Sequence, residues 1–143
     1  MEEEEFKRRD ELDLVTATIF GEARGEPIEG KVAVGCVIRN RVLDPRWPLT
    51  YKEVVLQPKQ FSCWNNYDSN YGSTLRATVP TLSWQDMAWQ ECRLVAHGII
   101  YDRLMDNTKG SNHYHSSKIA KLPKWAEGSE VMKQYGGHLF YKL

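Results

Sequence analysis

Apolar residues fall into periodic runs separated by polar, turn-rich stretches. From Glu5 to Phe20, Leu12, Val15, Ile19 and Phe20 recur at three- and four-residue steps, the spacing of one stripe on a helix. The acidic opening, Glu2 to Glu5, favours the N-terminus of that helix electrostatically. Gly21 and Gly25 bracket Glu22, Ala23 and Arg24, so the helix is predicted to end or bend there, with Glu22 near its C-terminal end. Pro27 suits the first turn of a second helix, for which Ile28, Val32, Ala33, Cys36 and Val37 supply a buried face and Asn40 and Arg41 lie towards the end. The two helices are expected to pack together.

Between Asp44 and Pro80, four prolines and Gly72 stand among many Ser, Asn and Tyr residues, which predicts an irregular wall holding at most a short strand or helix. Ser83 followed by Asp86 resembles a capping box with Asp in place of Glu. Met87, Ala88, Cys92, Val95, Ala96 and Ile99 then form the stripe of a long third helix. The tail from Met105 carries Gly110, Pro123, Gly128, Gly136 and Gly137 and closes on the alternating run His138 to Leu143, which predicts loops followed by a short strand. The fold class is therefore mainly α, with α+β character. No internal repeat appears.

Composition narrows the choices. A length of 143 residues suits one domain spanning 1–143, and 41% hydrophobic with 27% charged residues is ordinary soluble globular usage. Nineteen basic residues balance nineteen acidic ones, which removes the broad basic field that nucleic acid usually requires. No apolar run approaches the roughly 18 residues of a membrane span. The acidic start is unlike a secretory signal, so synthesis in the cytoplasm, with action outside only after release, is the expectation. Cys36, Cys63 and Cys92 leave at least one thiol unpaired, which fits a reducing compartment. A monomer is expected.

One residue stands out chemically. Cleaving a glycosidic bond requires a carboxylic acid that delivers a proton to a poor leaving group, commonly a Glu at a cleft floor. Glu22, after an apolar helix and between small residues, fits that description; a solvated residue near a helix end fits it too.

Context bears on this choice. Ile19-Phe20-Gly21-Glu22-Ala23-Arg24-Gly25-Glu26-Pro27, Gly30 to Val34 and Val37 to Val42 resemble the start of the SleB-like cell wall hydrolase family. Gln57 to Ser62 resembles that family's Gln-Phe-Ser segment, and Gly110 to His115 its Gly-Ala-Thr-x-Tyr-His segment. Pro123-Lys124-Trp125 and Gly136 to Tyr141 resemble its closing segments. The resemblance runs in order from about residue 12, departing where Asn112 replaces a common Thr and Gly137 a common Asn. It implies a lysozyme-like, lytic-transglycosylase-like helical domain that cleaves between N-acetylmuramic acid and N-acetylglucosamine, with Glu22 as the acid. Without the leader and wall-binding repeats of the spore form, the phage endolysin type is the expected setting.

The resemblance offers a single essential Glu, whereas hydrolysis of the two-carboxylate type needs a second acid. Glu26 is nearest, but Gly25 and Pro27 turn the chain there, so Glu26 is read as structural or as a cap. The muramic acid's own hydroxyl at carbon six can then attack, giving an anhydro product, and one Glu serves as acid and then base. A hydrolytic muramidase would instead need Glu26, Glu29, Asp68 or Asp86 near Glu22. Gln60, Phe61 and Ser62 suit sugar recognition, although Phe61 suits a core equally well. Tyr114 and His115 are read as holding the sugar or orienting Glu22, against ordinary loop packing, and His113 shares that segment. Among the tryptophans, Trp64 is chosen for the groove and Trp84 and Trp89 for packing. Arg24 is expected to point away from Glu22, whose acid role it would oppose. A zinc amidase using His113, His115 and His138, and a non-catalytic wall-binding module, are the rival readings. The metal-ligand spacing is incomplete, so no metal or cofactor is expected.

Overall fold

The computed structural model describes residue 7 and residues 9–143. The acidic opening, and its effect on the first helix, lies outside the described residues. Helix α1 spans Glu11–Ala23 and begins where Asp10 accepts a hydrogen bond from the Asp13 amide at 2.9 Å, so a side-chain cap sets its start. Its burial is not confined to one stripe. Leu14, Val15, Ala17 and Ile19 are all fully buried, and so are Thr16 and Thr18. The two threonines can be enclosed because their hydroxyls donate back to the carbonyls of Leu12 and Leu14, both at 2.7 Å. A helix buried on nearly every side belongs at the centre of a fold.

Helix α2 (Ile28–Leu43) packs against α1 as expected, with Pro27 standing just before its first turn. Ile28, expected in its buried face, is 42% exposed because it opens the helix at the surface. The predicted irregular wall contains α3 (Tyr51–Val55), a single 3-10 turn over Ser62–Trp64, α4 (Tyr71–Ala77) and α5 (Pro80–Ser83). The long helix appears as α6, Met87–Ile100. Its cap is Asp86, whose carboxylate accepts from the Trp89 amide at 3.1 Å, while Ser83 closes α5 and donates instead to the Arg76 carbonyl. Met87, assigned to the buried stripe, is 81% exposed on the first turn. Helices α2, α3, α4 and α6 all pack around α1.

Among the described residues, three strands form one antiparallel sheet in the order β1-β3-β2, with β1 at His113–Ser116, β2 at Val131–Tyr135 and β3 at His138–Tyr141. The predicted closing strand is β3; its partners lacked the apolar alternation that would have announced them. Phe140 and Tyr141 bury one end of the sheet, and Phe140 joins the core cluster of α1, α2 and α6. Cys36, Cys63 and Cys92 are all free and buried. No helix among the described residues is long and apolar enough to cross a membrane.

Candidate active site

Glu22 is the penultimate residue of α1, so the central helix delivers its side chain to the edge of the core. Oε2 accepts from the Cys63 amide at 3.1 Å and from the Ser62 hydroxyl at 3.3 Å, and Oε1 accepts from the Tyr114 hydroxyl. The first two donors come from the 3-10 turn and the third from β1, so three separate elements meet on one carboxylate. Burial, followed by the neighbouring Glu22 carboxylate, pushes the Tyr114 phenol well above its ordinary value, which keeps it a donor. Burial likewise raises the Cys63 thiol, so this cysteine is a packing residue and its amide is the active part.

An open cleft runs past this carboxylate in two lobes. The larger, about 720 Å³, is lined by Glu22, Arg24, Glu26, Asn70 and Lys118. The smaller, about 340 Å³, is lined by Glu22, Arg41, Gln60, Ser62, Tyr114 and His138. Glu22 therefore stands where the lobes join, with helix on one side and sheet on the other. Open space for a polymer on both sides of one fixed carboxylate is the geometry of a chain-cleaving site.

The Cell Wall Hydrolase family profile matches residues 25–141 of this chain. The chain belongs to the Cell Wall Hydrolase family. It is similar to the spore cortex-lytic enzyme of Bacillus subtilis, 40% identical over 132 residues, which is 91% of this chain and 37% of that protein. The corresponding enzyme of Oceanobacillus iheyensis is 27% identical over 135 residues, 94% of this chain and 42% of that protein. The chain thus spans about two fifths of the length of these curated relatives. Among solved structures it resembles the catalytic domain of the germination-specific lytic transglycosylase SleB from Bacillus anthracis. The TM-score is 0.68 and the identity 25%, with 92% of this chain and 93% of that one covered. The Bacillus cereus SleB catalytic domain gives a TM-score of 0.67 at 26% identity, covering 92% and 89% of the two chains. The helical, lysozyme-like fold expected from the sequence is the fold observed.

The expected site residues separate into two groups. Glu22, Gln60, Ser62, Tyr114 and His115 line the cleft. His115 is held at both nitrogens, Nδ1 at 2.9 Å from the Ser116 carbonyl and Nε2 at 2.8 Å from the Tyr141 hydroxyl. A carbonyl only accepts, so Nδ1 carries the proton and Nε2 accepts from Tyr141. Phe61, Trp64 and His113 fall outside the cleft lining. Phe61 is 1% exposed beneath the Arg41 guanidinium, and Trp64 is partly buried and donates its Nε1 to Thr18 Oγ1 at 3.0 Å, which ties the turn to α1. His113 sits between Trp47 and Trp125, at ring distances of 5.9 and 4.8 Å.

Arg24 donates to Asn70 Oδ1 at 2.8 Å and lays its guanidinium over the Phe20 ring. Glu26 reaches across to the β2–β3 turn and accepts from the Gly137 amide at 3.1 Å, a structural tie on the wall of the larger lobe. Asp68 accepts from the Asn70 amide in a local turn, Asp86 caps α6 through the Trp89 amide, and Glu29 is exposed. The described residues contain no group of three His, Cys, Asp or Glu placed to hold a metal ion.

Sequence reasoning missed Arg41 and His138 as cleft residues. Arg41 is 4% exposed, donates to the Asn112 carbonyl at 2.8 Å and to Gln60 Oε1 at 3.3 Å, and so holds a recognition amide in place. Burial lowers its guanidinium from the ordinary value, opposed by Tyr114 and Glu22. A basic residue on the apolar side of a helix was the available signal. His138 lies 5.0 Å from the Tyr114 ring and 3.8 Å from Glu26, too far for a hydrogen bond. Burial lowers its imidazole, against the pull of Glu26 and Glu22 and with the help of His115.

Proposed function

We propose that this chain is a single catalytic domain that cleaves peptidoglycan glycan strands between N-acetylmuramic acid and N-acetylglucosamine as a lytic transglycosylase. The observation that carries this reading is the position of Glu22, among the described residues the one carboxylate that lines both lobes of the cleft, fixed by three donors from two elements. Glu22 donates its proton to the bridging oxygen as the bond from that oxygen to muramic carbon one breaks. The hydroxyl on carbon six of the same sugar then bonds to carbon one and returns its proton to the Glu22 carboxylate. The product ends in anhydro-muramic acid, no water is consumed, and Glu22 is ready for another turnover. Glu26, tied to Gly137, Asp68, bonded to the Asn70 amide, and Asp86, the cap of α6, are engaged in local structure, which supports one carboxylate acting twice.

The relatives named above are spore cortex-lytic enzymes and germination-specific SleB catalytic domains, which supports cortex-type peptidoglycan as the substrate. An endolysin setting has no counterpart among them. Cytoplasmic synthesis, release to the wall and action as a monomer belong to the same proposal.

Glu22→Gln keeps the shape of the side chain and removes its proton, so it is expected to fold normally and lose about a hundred- to ten-thousandfold in rate. Mass spectrometry of muropeptides released from purified sacculi by the wild type is expected to find anhydro ends. Reducing ends, heavier by one water, would replace the transglycosylase by a hydrolase, and full activity in the variant would remove Glu22 from the mechanism.

A further inference from the structure

A second cavity lies beside the larger lobe, lined by a separate set of residues. Arg24, on the wall of the larger lobe, lays its guanidinium over the Phe20 ring, 5.2 Å from the centroid. Phe20 in turn forms part of the second cavity, of about 190 Å³, bounded by α1, α4, α5 and the start of α6. Helix α4 joins the two. Asn70, just before its first turn, lines both lobes around Glu22 and holds Arg24, while Ser73 and Ala77 line the second cavity. Steps of three and four residues put Asn70, Ser73 and Ala77 on one face, which extends about 10 Å at the helical rise per residue.

The second cavity combines an apolar floor with a small polar rim, the composition of a site for a small amphipathic group. Phe20 and Trp89, 8% and 6% exposed, line it with Ala77, and Leu82, 56% exposed, adds an apolar side chain. The Trp89 indole is already satisfied by the Ala77 carbonyl at 2.9 Å, and Ser83 by the Arg76 carbonyl at 2.9 Å. Asp86 spends Oδ1 on the cap of α6. What is left over is one donor group, the Arg76 guanidinium, and one acceptor, Asp86 Oδ2; neither has a protein partner among the described residues.

An acetamido group requires this set. Its methyl is apolar, its carbonyl needs a donor and its N–H needs an acceptor. We infer that the second cavity binds the acetamido group of an N-acetylhexosamine further along the strand that occupies the Glu22 cleft, so that the enzyme grips its polymer at a distance from the bond it breaks. The inference rests on the glycan-cleaving reading, because closeness to the Glu22 cleft, through Arg24, Phe20 and α4, is what identifies the occupant.

The Glu22→Gln protein separates binding from cleavage. Titrated calorimetrically with an N-acetylglucosamine hexasaccharide, it is expected to bind, and to bind the de-N-acetylated hexasaccharide more weakly. In that background Arg76→Ala and Asp86→Asn each remove one hydrogen bond, and each is expected to weaken binding about three- to tenfold. Asparagine still caps α6, so the second variant keeps the fold. Amide resonances of Ser73, Ala77 and Leu82 are expected to shift on addition of the sugar. Unchanged affinity in both variants, equal binding of the de-N-acetylated sugar, or shifts confined to residues around Glu22 would each overturn the site. Those results leave the glycosidase reading standing if Glu22→Gln is inactive on sacculi; an active Glu22→Gln removes that reading, and with it the named occupant.

Discussion

The Glu22 carboxylate is held from two directions, by the turn at Ser62 and Cys63 and by Tyr114 on the sheet. Tyr114 is the donor that can be removed most cleanly, since its ring is packed by His138 and Phe140 regardless of the hydroxyl. Tyr114→Phe is therefore expected to fold and to lower kcat about ten- to a hundredfold with little change in KM, the value of one hydrogen bond to a charged group. Initial rates on solubilised glycan strands check this, and an unchanged kcat would reduce Tyr114 to packing. Single-residue chemistry was partly legible in the sequence. Glu22 and Tyr114 lie in segments that resemble those of the cell wall hydrolase family, and they do meet. Phe61 and Trp64, chosen because aromatic faces bind sugars, instead turn inward, since burying a large apolar ring is favourable wherever the fold can enclose it.

At the scale of elements, the site depends on how closely α1 approaches its neighbours. A Cβ added at Gly21 would lie 2.3 Å from Thr74 Oγ1 and 2.6 Å from Cys63 Cβ, so α4 and the 3-10 turn close on this position because no side chain intervenes. Gly21→Ala gains helix propensity of about 1 kcal/mol but forces apart two buried neighbours. A net loss of about 1–2 kcal/mol is expected, with reduced activity as the Cys63 amide shifts from Glu22. Gly25 is the internal control, because nothing lies within 4 Å of its added Cβ, and Gly25→Ala should leave the melting temperature nearly unchanged. Equal melting temperatures for both variants would contradict the packing argument. The glycines were read from the sequence as helix breakers; Gly21 in fact lies within α1 and serves close approach.

For the whole molecule, the packing of sheet against helices sets the response to acid. His113, enclosed by Trp47 and Trp125, is lowered to about 4 by burial first and then by Arg41 and Arg46. A depressed imidazole stays neutral in the folded chain while the unfolded chain takes up a proton, so stability is full above the ordinary histidine value near 6.5 and falls as pH drops towards about 4. His138 is lowered in the same direction. After discounting for a ring that is only partly buried, about 1–2 kcal/mol should be lost through His113. Thermal melts across that window in wild type and His113→Phe test the point, since the variant should show a flatter decline; parallel curves would rule out His113 as a source.

What the sequence by itself determined is the local part of this protein. The long helices, the chain reversal after Glu22 and the mainly helical class all follow from periodicity and turn residues, because these depend on neighbours within a few positions. The tertiary structure alone decided which faces are inside and which side chains meet. Thr16 and Thr18 are buried because their own backbone satisfies them; Arg41 is buried because Asn112 and Gln60, distant in sequence, accept from it. His113 lies outside the cleft because Trp47 and Trp125 enclose its ring, while Tyr114 reaches Glu22, and these partners, distant in sequence, are brought together only by the fold.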